Sequence, residues 1–214
     1  FGPRAVGFFV AACAAAGAAM VFRQPLLMLA GLGLLAGAVL LFVMGEAVFR
    51  PALGFSLGFA GFTILSVLFP FADWPLRLLA GKSAAWFLSW IGDPVELGFT
   101  AEPVRLILVS QGRPFEVAPE CNGFGIISGC LLLAILLAFS KRLRVIDKVL
   151  LLALSPLLGL LSNAVRIVVI VKLAPMVGSH YLIMHEIVGI VLFMGTLAFL
   201  WWLVTGLPEK PCDG

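Results

Sequence analysis

The stretch CNGFGIISGCLLLAILLAFS, residues 121–140, runs into KRLRVIDK, residues 141–148, and then into VLLLALSPLLGLLSNAVRIVVIVK, residues 149–172. A helix needs about 20 apolar residues to cross a hydrocarbon core of roughly 30 Å, and each flanking stretch has that length. The link between them carries Lys141, Arg142, Arg144 and Lys148. Two apolar helices joined by a short basic loop read as a transmembrane hairpin whose loop stays in the cytoplasm.

Working outward, four further apolar runs complete the pattern, giving six expected spans: Ala5–Phe22, Leu26–Met44, Ala52–Phe71, Cys121–Ser140, Val149–Lys172 and His185–Val204. The first run has one arginine ahead of it and no convincing cleavage site, so it reads as a span rather than a signal peptide. The composition agrees. Of 214 residues, 62% are hydrophobic and 12% charged, against roughly 45–50% and about 25% in water-soluble domains, and the mean hydropathy is +1.16. A net charge of +3, from 14 basic and 11 acidic residues, is too small and too scattered to suggest a nucleic-acid surface. Pairs of glycines at 33/37, 54/58 and 125/129 let neighbouring helices approach closely.

Between the third and fourth spans the composition changes. Residues 74–91 set Leu, Trp and Phe against Arg77, Lys82 and Ser83 and read as an interfacial amphipathic helix, with a short seventh span as the competing reading. Val104–Val109 and Phe115–Ala118, around Ser110-Gln-Gly-Arg-Pro114, read as a β-hairpin. The expected fold is therefore an all-α polytopic membrane protein: about six transmembrane helices, an interfacial helix and a short extracytoplasmic β-hairpin. Its parts are three N-terminal helices in 1–72, an extracytoplasmic segment in 73–120, a three-helix core in 121–207 and a cytoplasmic tail in 208–214. Alternation from the basic loop puts both termini in the cytoplasm, and the starts of the fourth and sixth spans and the end of the fifth outside.

Ionisable groups in an apolar span cost on the order of 3 kcal/mol on insertion scales and by default mark function. Arg166 lies roughly 25 Å along the fifth span, towards its outer end, with Asn163 one turn earlier on the same face. Cys121 opens the fourth span between Glu120 and Asn122-Gly123, where a helix N-terminus and a nearby cation favour the nucleophilic thiolate. His185 opens the sixth. Each has an ordinary explanation taken singly: a snorkelling arginine, a small buried hydrophobe as expected for Cys13 and Cys130, an isolated histidine. Topology, however, brings Cys121, Arg166 and His185 to one membrane depth on three helices. Together they supply a nucleophile, an oxyanion stabiliser and a proton shuttle. His185-Glu186-Ile187-Val188-Gly189 lacks the second histidine of a zinc-protease helix, and His180 and His185 do not share a helical face, so no metal or cofactor is expected.

These residues carry a resemblance to the exosortase/archaeosortase membrane transpeptidases. Glu120-Cys121-Asn122-Gly123 resembles the family's Cys-Ser/Thr-Gly motif, with Asn in the Ser/Thr position. Asn163-Ala164-Val165-Arg166 resembles its Asn-x-x-Arg motif, and His185 to Gly189 its His-x-x-x-Gly motif. The resemblance implies Cys121 as nucleophile, Arg166 as oxyanion partner and His185 as general acid/base, with Glu120, Asn122, Gly123 and Asn163 supporting them. It further implies secreted substrates with a C-terminal sorting signal of short motif, transmembrane helix and basic tail, and an amine or lipid acceptor at the outer face of the cell membrane. The alternative reading is a non-enzymatic membrane subunit of surface-polysaccharide export or assembly, for which Cys121 would be dispensable.

Overall fold

The computed structural model describes residues 2–100 and 104–207; the expected tail at 208–214, with Cys212, lies outside the described residues. Six α-helices follow in order: α1 Pro3–Phe22, α2 Pro25–Met44, α3 Phe49–Trp90, α4 Phe124–Ser140, α5 Val145–Val177 and α6 Tyr181–Thr205. Three strands, β1 Val95–Thr100, β2 Arg105–Ser110 and β3 Arg113–Glu116, lie between α3 and α4. Among the described residues, five helical stretches are long and apolar enough to cross a membrane, the last being Val145–Thr205, in which a 3-10 turn at Gly178–His180 joins α5 to α6. The protein is thus mostly helical, polytopic by length and composition, with one small sheet.

The expected break after Phe71 is absent. The third span and the amphipathic segment form one helix of 42 residues, with Pro70 and Pro75 inside it. At about 1.5 Å per residue it is roughly twice as long as a hydrocarbon core is thick. Asp73 and Arg77 stand at that expected boundary. The two lie one turn apart and pair with each other, which removes the electrostatic reason for the helix to end. The boundaries of the later spans move as well. Asp147 joins the first turn of α5, where its charge suits the helix dipole, so the basic loop shrinks to Lys141–Arg144. Cys121 sits in a 3-10 turn, Pro119–Cys121, ahead of α4, and His185 lies one turn inside α6 instead of at its start.

The chain divides into two compact units. One comprises, of the described residues, 2–68, 131–154 and 201–207. Here α1 buries Ala5, Ala12 and Ala19, while α2 buries Gly31, Gly33, Gly37, Ala38 and Leu41. These small side chains permit close backbone packing, the main source of association where lipid is as apolar as leucine. A Cβ at Gly33 would stand 2.8 Å from the Phe59 ring, and Ser56 donates a 2.9 Å hydrogen bond to the Gly33 carbonyl. Gly54 and Gly58 likewise receive Phe139 and Leu132. Lys141 Nζ donates to the Val204 carbonyl near the end of α6, which places a cation at the negative end of the helix dipole.

The other unit comprises, of the described residues, 69–100, 104–130 and 155–200. Its sheet is antiparallel in the order β1-β2-β3. β2 and β3 turn through Gln111 and Gly112, both at positive φ (51° and 72°), the conformation of a tight hairpin. Pro114, which has no N–H, lies on edge strand β3, where proline is tolerated. The sheet's third strand, β1, is not apparent from the sequence pattern. Leu106 and Leu108 of β2 point into a core with Ala80, Ala84 and Leu88, which recur every fourth residue along α3. Val117, Cys121, Ile167 and Val171 complete that core. Of the third glycine pair, Gly129 receives Phe193, but a Cβ at Gly125 would meet nothing within 4 Å.

Candidate active site

The segment carrying the thiol is held at both ends by backbone hydrogen bonds. Val117 N–H donates to Leu106 O at 2.9 Å, extending the sheet, and Cys121 N–H closes the 3-10 turn on Ala118 O at 2.9 Å. Beyond the sulfur, Asn122 Oδ1 accepts from Phe124 N–H at 2.9 Å, satisfying an amide at the start of α4. Gly123 takes φ of +82°, a conformation that glycine adopts without a Cβ penalty, and its carbonyl accepts the α4 bond from Ile127 N–H. The backbone therefore reverses around a buried cysteine that is 8% exposed.

Two side chains from α5 and one from α6 converge on this turn. His185 Nε2 lies 3.4 Å from Cys121 Sγ, within reach of a sulfur hydrogen bond. Asn163, fully buried, donates from Nδ2 to the Cys121 carbonyl at 2.8 Å. Its side chain also explains Gly123, where a Cβ would stand 2.9 Å from the amide. Arg166, one turn further along α5, donates from Nη1 to the Glu120 carbonyl at 3.2 Å, while its buried Nε has no hydrogen-bond partner. A Cβ on Gly189 would meet the guanidinium at 3.0 Å, so glycine there leaves room for Arg166 beside α6. The structure brings Cys121 and His185 into direct contact; Arg166 reaches the backbone next to the thiol, not the thiol itself. Glu120 contributes its carbonyl to this contact, and the residue as a whole is exposed.

A cavity of about 390 Å³ opens beside the guanidinium, lined by Glu120, Gly125, Arg166 and Glu186 and by the apolar Ile126 and Phe193. Cys121 lines a separate cleft of about 20 Å³ with Phe115, Val117, Ile167 and Tyr181. A carboxylate–guanidinium mouth over an apolar floor suits a segment that is polar at one end and hydrophobic at the other.

Three neighbours were not picked out from the sequence. Asp73 accepts a 2.7 Å hydrogen bond from Asn122 Nδ2 through Oδ1 and pairs through Oδ2 with Arg77, whose Nε is at 3.0 Å. The ring centroid of Tyr181 lies 6.1 Å from that of His185. The i, i+4 spacing of Asp73 and Arg77 within a largely apolar helix was the available signal. In the same unit, buried Asp93 accepts from Lys172 Nζ and from Ser110 Oγ, each at 2.8 Å. The Lys172 ammonium hydrogen-bonded to it holds the Asp93 carboxyl below its ordinary range, against the upward pull of burial, and Ser110 adds to the lowering. His180 is exposed in the α5–α6 turn, Cys13 is exposed on α1 and Cys130 is buried in α4. Among the described residues no three His, Cys, Asp or Glu side chains are grouped to hold a metal ion.

A cysteine in contact with a histidine, an arginine anchored one residue from the sulfur and a polar-mouthed apolar cavity form a constellation suited to acyl transfer. No curated protein and no solved structure matches the chain. The family model for transmembrane exosortase matches residues 1–202, and the chain belongs to that family.

Proposed function

We propose that this transmembrane exosortase is a cysteine transpeptidase that cleaves the C-terminal sorting signals of secreted proteins and passes the new C-terminus to an acceptor. Membership of the family, with the cysteine transpeptidase-like enzyme class it implies, is the premise. The observation that carries the reading is the 3.4 Å approach of Cys121 Sγ to His185 Nε2, in a turn whose neighbouring carbonyl is held by Arg166.

In this scheme the apolar end of the sorting signal occupies the cavity floored by Ile126 and Phe193, and the scissile peptide crosses towards Cys121. His185 takes the thiol proton as sulfur attacks the carbonyl carbon, forming the S–C bond. An N–H of Arg166 stabilises the oxyanion, a contact of the kind worth on the order of 3 kcal/mol in the transition state. Collapse breaks the C–N bond, and the imidazolium returns its proton to the departing amine. The thioester is then attacked by an acceptor amine, from a lipid or another carrier, with His185 taking the amine's proton; the C–N bond forms, the S–C bond breaks and the proton returns to sulfur. Water in place of the amine gives hydrolysis. The site is assigned to the extracytoplasmic face of the cell membrane, with both termini in the cytoplasm, on the strength of the basic loop at 141–144.

The test is mass spectrometry of the full-length protein incubated with a membrane-anchored substrate bearing a sorting signal and no acceptor. An acyl adduct on Cys121, absent from Cys121→Ala, is the expected result. A Cys121→Ala variant that processes substrate in cells like wild type would overturn the reading and favour the non-enzymatic subunit.

A further inference from the structure

Asp73 stands in an apolar helix where a lone carboxylate is strongly disfavoured, and pairing with Arg77 on the same helix would by itself make it tolerable. That pairing uses Oδ2. The other oxygen is committed elsewhere: Oδ1 accepts from Asn122 Nδ2 at 2.7 Å, across 49 residues of sequence. Asn122 is 3% exposed and directly follows the cysteine. It passes the constraint on, because its own Oδ1 accepts from Phe124 N–H at 2.9 Å. The result is a continuous chain of hydrogen bonds from Arg77 through Asp73 and Asn122 to the first amide of α4. Each link strengthens the next, since an ionised acceptor polarises the amide that donates to it.

The chain grips one side of the turn that carries the sulfur. Asn163 grips the other, through the Cys121 carbonyl at 2.8 Å. Without Asp73, Asn122 keeps only its local bond to Phe124, and the turn is tied from α5 alone.

We propose that Asp73 is a positioning residue: it clamps Asn122, and so fixes the orientation of the Cys121 turn towards His185, while Arg77 holds its charge and rotamer. This inference rests on Cys121 being the nucleophile. Its chemical signature is that the clamp needs one carboxylate and one amide but not in a given order. In Asp73→Asn combined with Asn122→Asp, the new amide at 73 donates to the new carboxylate at 122, which still accepts from Phe124 N–H, and the amide oxygen at 73 still faces Arg77. In Asn122→Asp alone, two carboxylates face each other at hydrogen-bond distance and repel.

The experiment uses the full-length protein in detergent, with two readouts on wild type, Asp73→Ala, Asn122→Asp and the exchanged pair, each checked for a cooperative melt. Hydrogen exchange of the peptide spanning residues 119–127 reads the clamp directly, and acylation of Cys121 by p-nitrophenyl acetate, resolved from Cys130 by mass spectrometry, reads its effect on the thiol. Asp73→Ala and Asn122→Asp are expected to speed exchange about tenfold and to slow acylation about tenfold or more. The exchanged pair is expected to return both to within about threefold of wild type. Unchanged exchange in folded Asp73→Ala, or a folded exchanged pair no better than Asn122→Asp, overturns the clamp. Faster exchange with unchanged acylation overturns the positioning role. A wild-type Cys121 no more reactive than Cys130 overturns the nucleophile assignment instead, and the exchange result then supports the clamp alone.

Discussion

Cys121 Sγ and His185 Nε2 stand 3.4 Å apart although 64 residues separate them in the chain. A thiol is a weak nucleophile until a base takes its proton, and this contact sets an imidazole against the sulfur with no intervening group.

Replacement of His185 by Gln retains a polar side chain of similar reach and removes the base. Single-turnover formation of the acyl-enzyme is expected to fall by about 10²- to 10⁴-fold, the range for losing a positioned general base. The melting temperature is expected to stay close to wild type, because His185 is only half-buried. Retained acylation in a folded His185→Gln protein would assign the proton transfer to another group.

Gly189 has a specific reason to lack a side chain, since a Cβ there would press on the Arg166 guanidinium at 3.0 Å. Gly189→Ala is expected to displace Arg166 and lower kcat/KM by about 10²-fold, the scale of a misplaced catalytic group. Arg166→Lys is expected to lose activity as well, because one ammonium cannot reproduce the fork that holds the Glu120 carbonyl with one N–H and presents others. Steady-state kinetics on the two variants checks both.

Gly123 and Gly125 are two residues apart and separable. Alanine at 123 must adopt φ of +82° and approach Asn163 at 2.9 Å. The backbone conformation alone costs roughly 1–2 kcal/mol, so Gly123→Ala is expected to lower both melting temperature and turnover. Alanine at 125 meets nothing within 4 Å and is expected to leave stability unchanged. Gly125→Leu projects into the 390 Å³ cavity and is expected to raise KM for a sorting-signal substrate more than it lowers kcat. Thermal melts and a kcat–KM comparison distinguish the three.

The Asp93–Lys172 pair predicts a pH effect on stability. Because the folded-state carboxyl is held below its ordinary value of 3.8, chiefly by Lys172, its contribution is fully present above that value. It is lost as pH falls through the lowered folded-state value. Asp93→Asn is therefore expected to melt several degrees below wild type at neutral pH, with the gap closing in strongly acidic buffer. Melting curves of both proteins across the acid range provide the measurement; a gap independent of pH would show that the ion pair is not its origin.

What sequence alone determined was the solvent and the order of elements. Runs of about 20 apolar residues have few alternatives to membrane helices, because unpaired backbone groups are too costly in lipid. The β2–β3 hairpin was legible for a similarly local reason: Gln111-Gly112 supports the left-handed turn that a two-residue hairpin requires. Cys121, Asn163, Arg166 and His185 stood out because polar or reactive groups at the ends of apolar runs are conspicuous. Sequence could not show that α3 continues past Phe71, since that depends on Asp73 and Arg77 neutralising each other and on Ala80, Ala84 and Leu88 finding β2 to pack against. Nor could it show that Arg166 takes the Glu120 carbonyl while His185 takes the thiol, or that Asp73 reaches Asn122. Those pairings span 46, 64 and 49 residues. A local pattern records which residues are able to hydrogen-bond; only the packing of helices against one another decides with whom, because it sets which side chains are left without water.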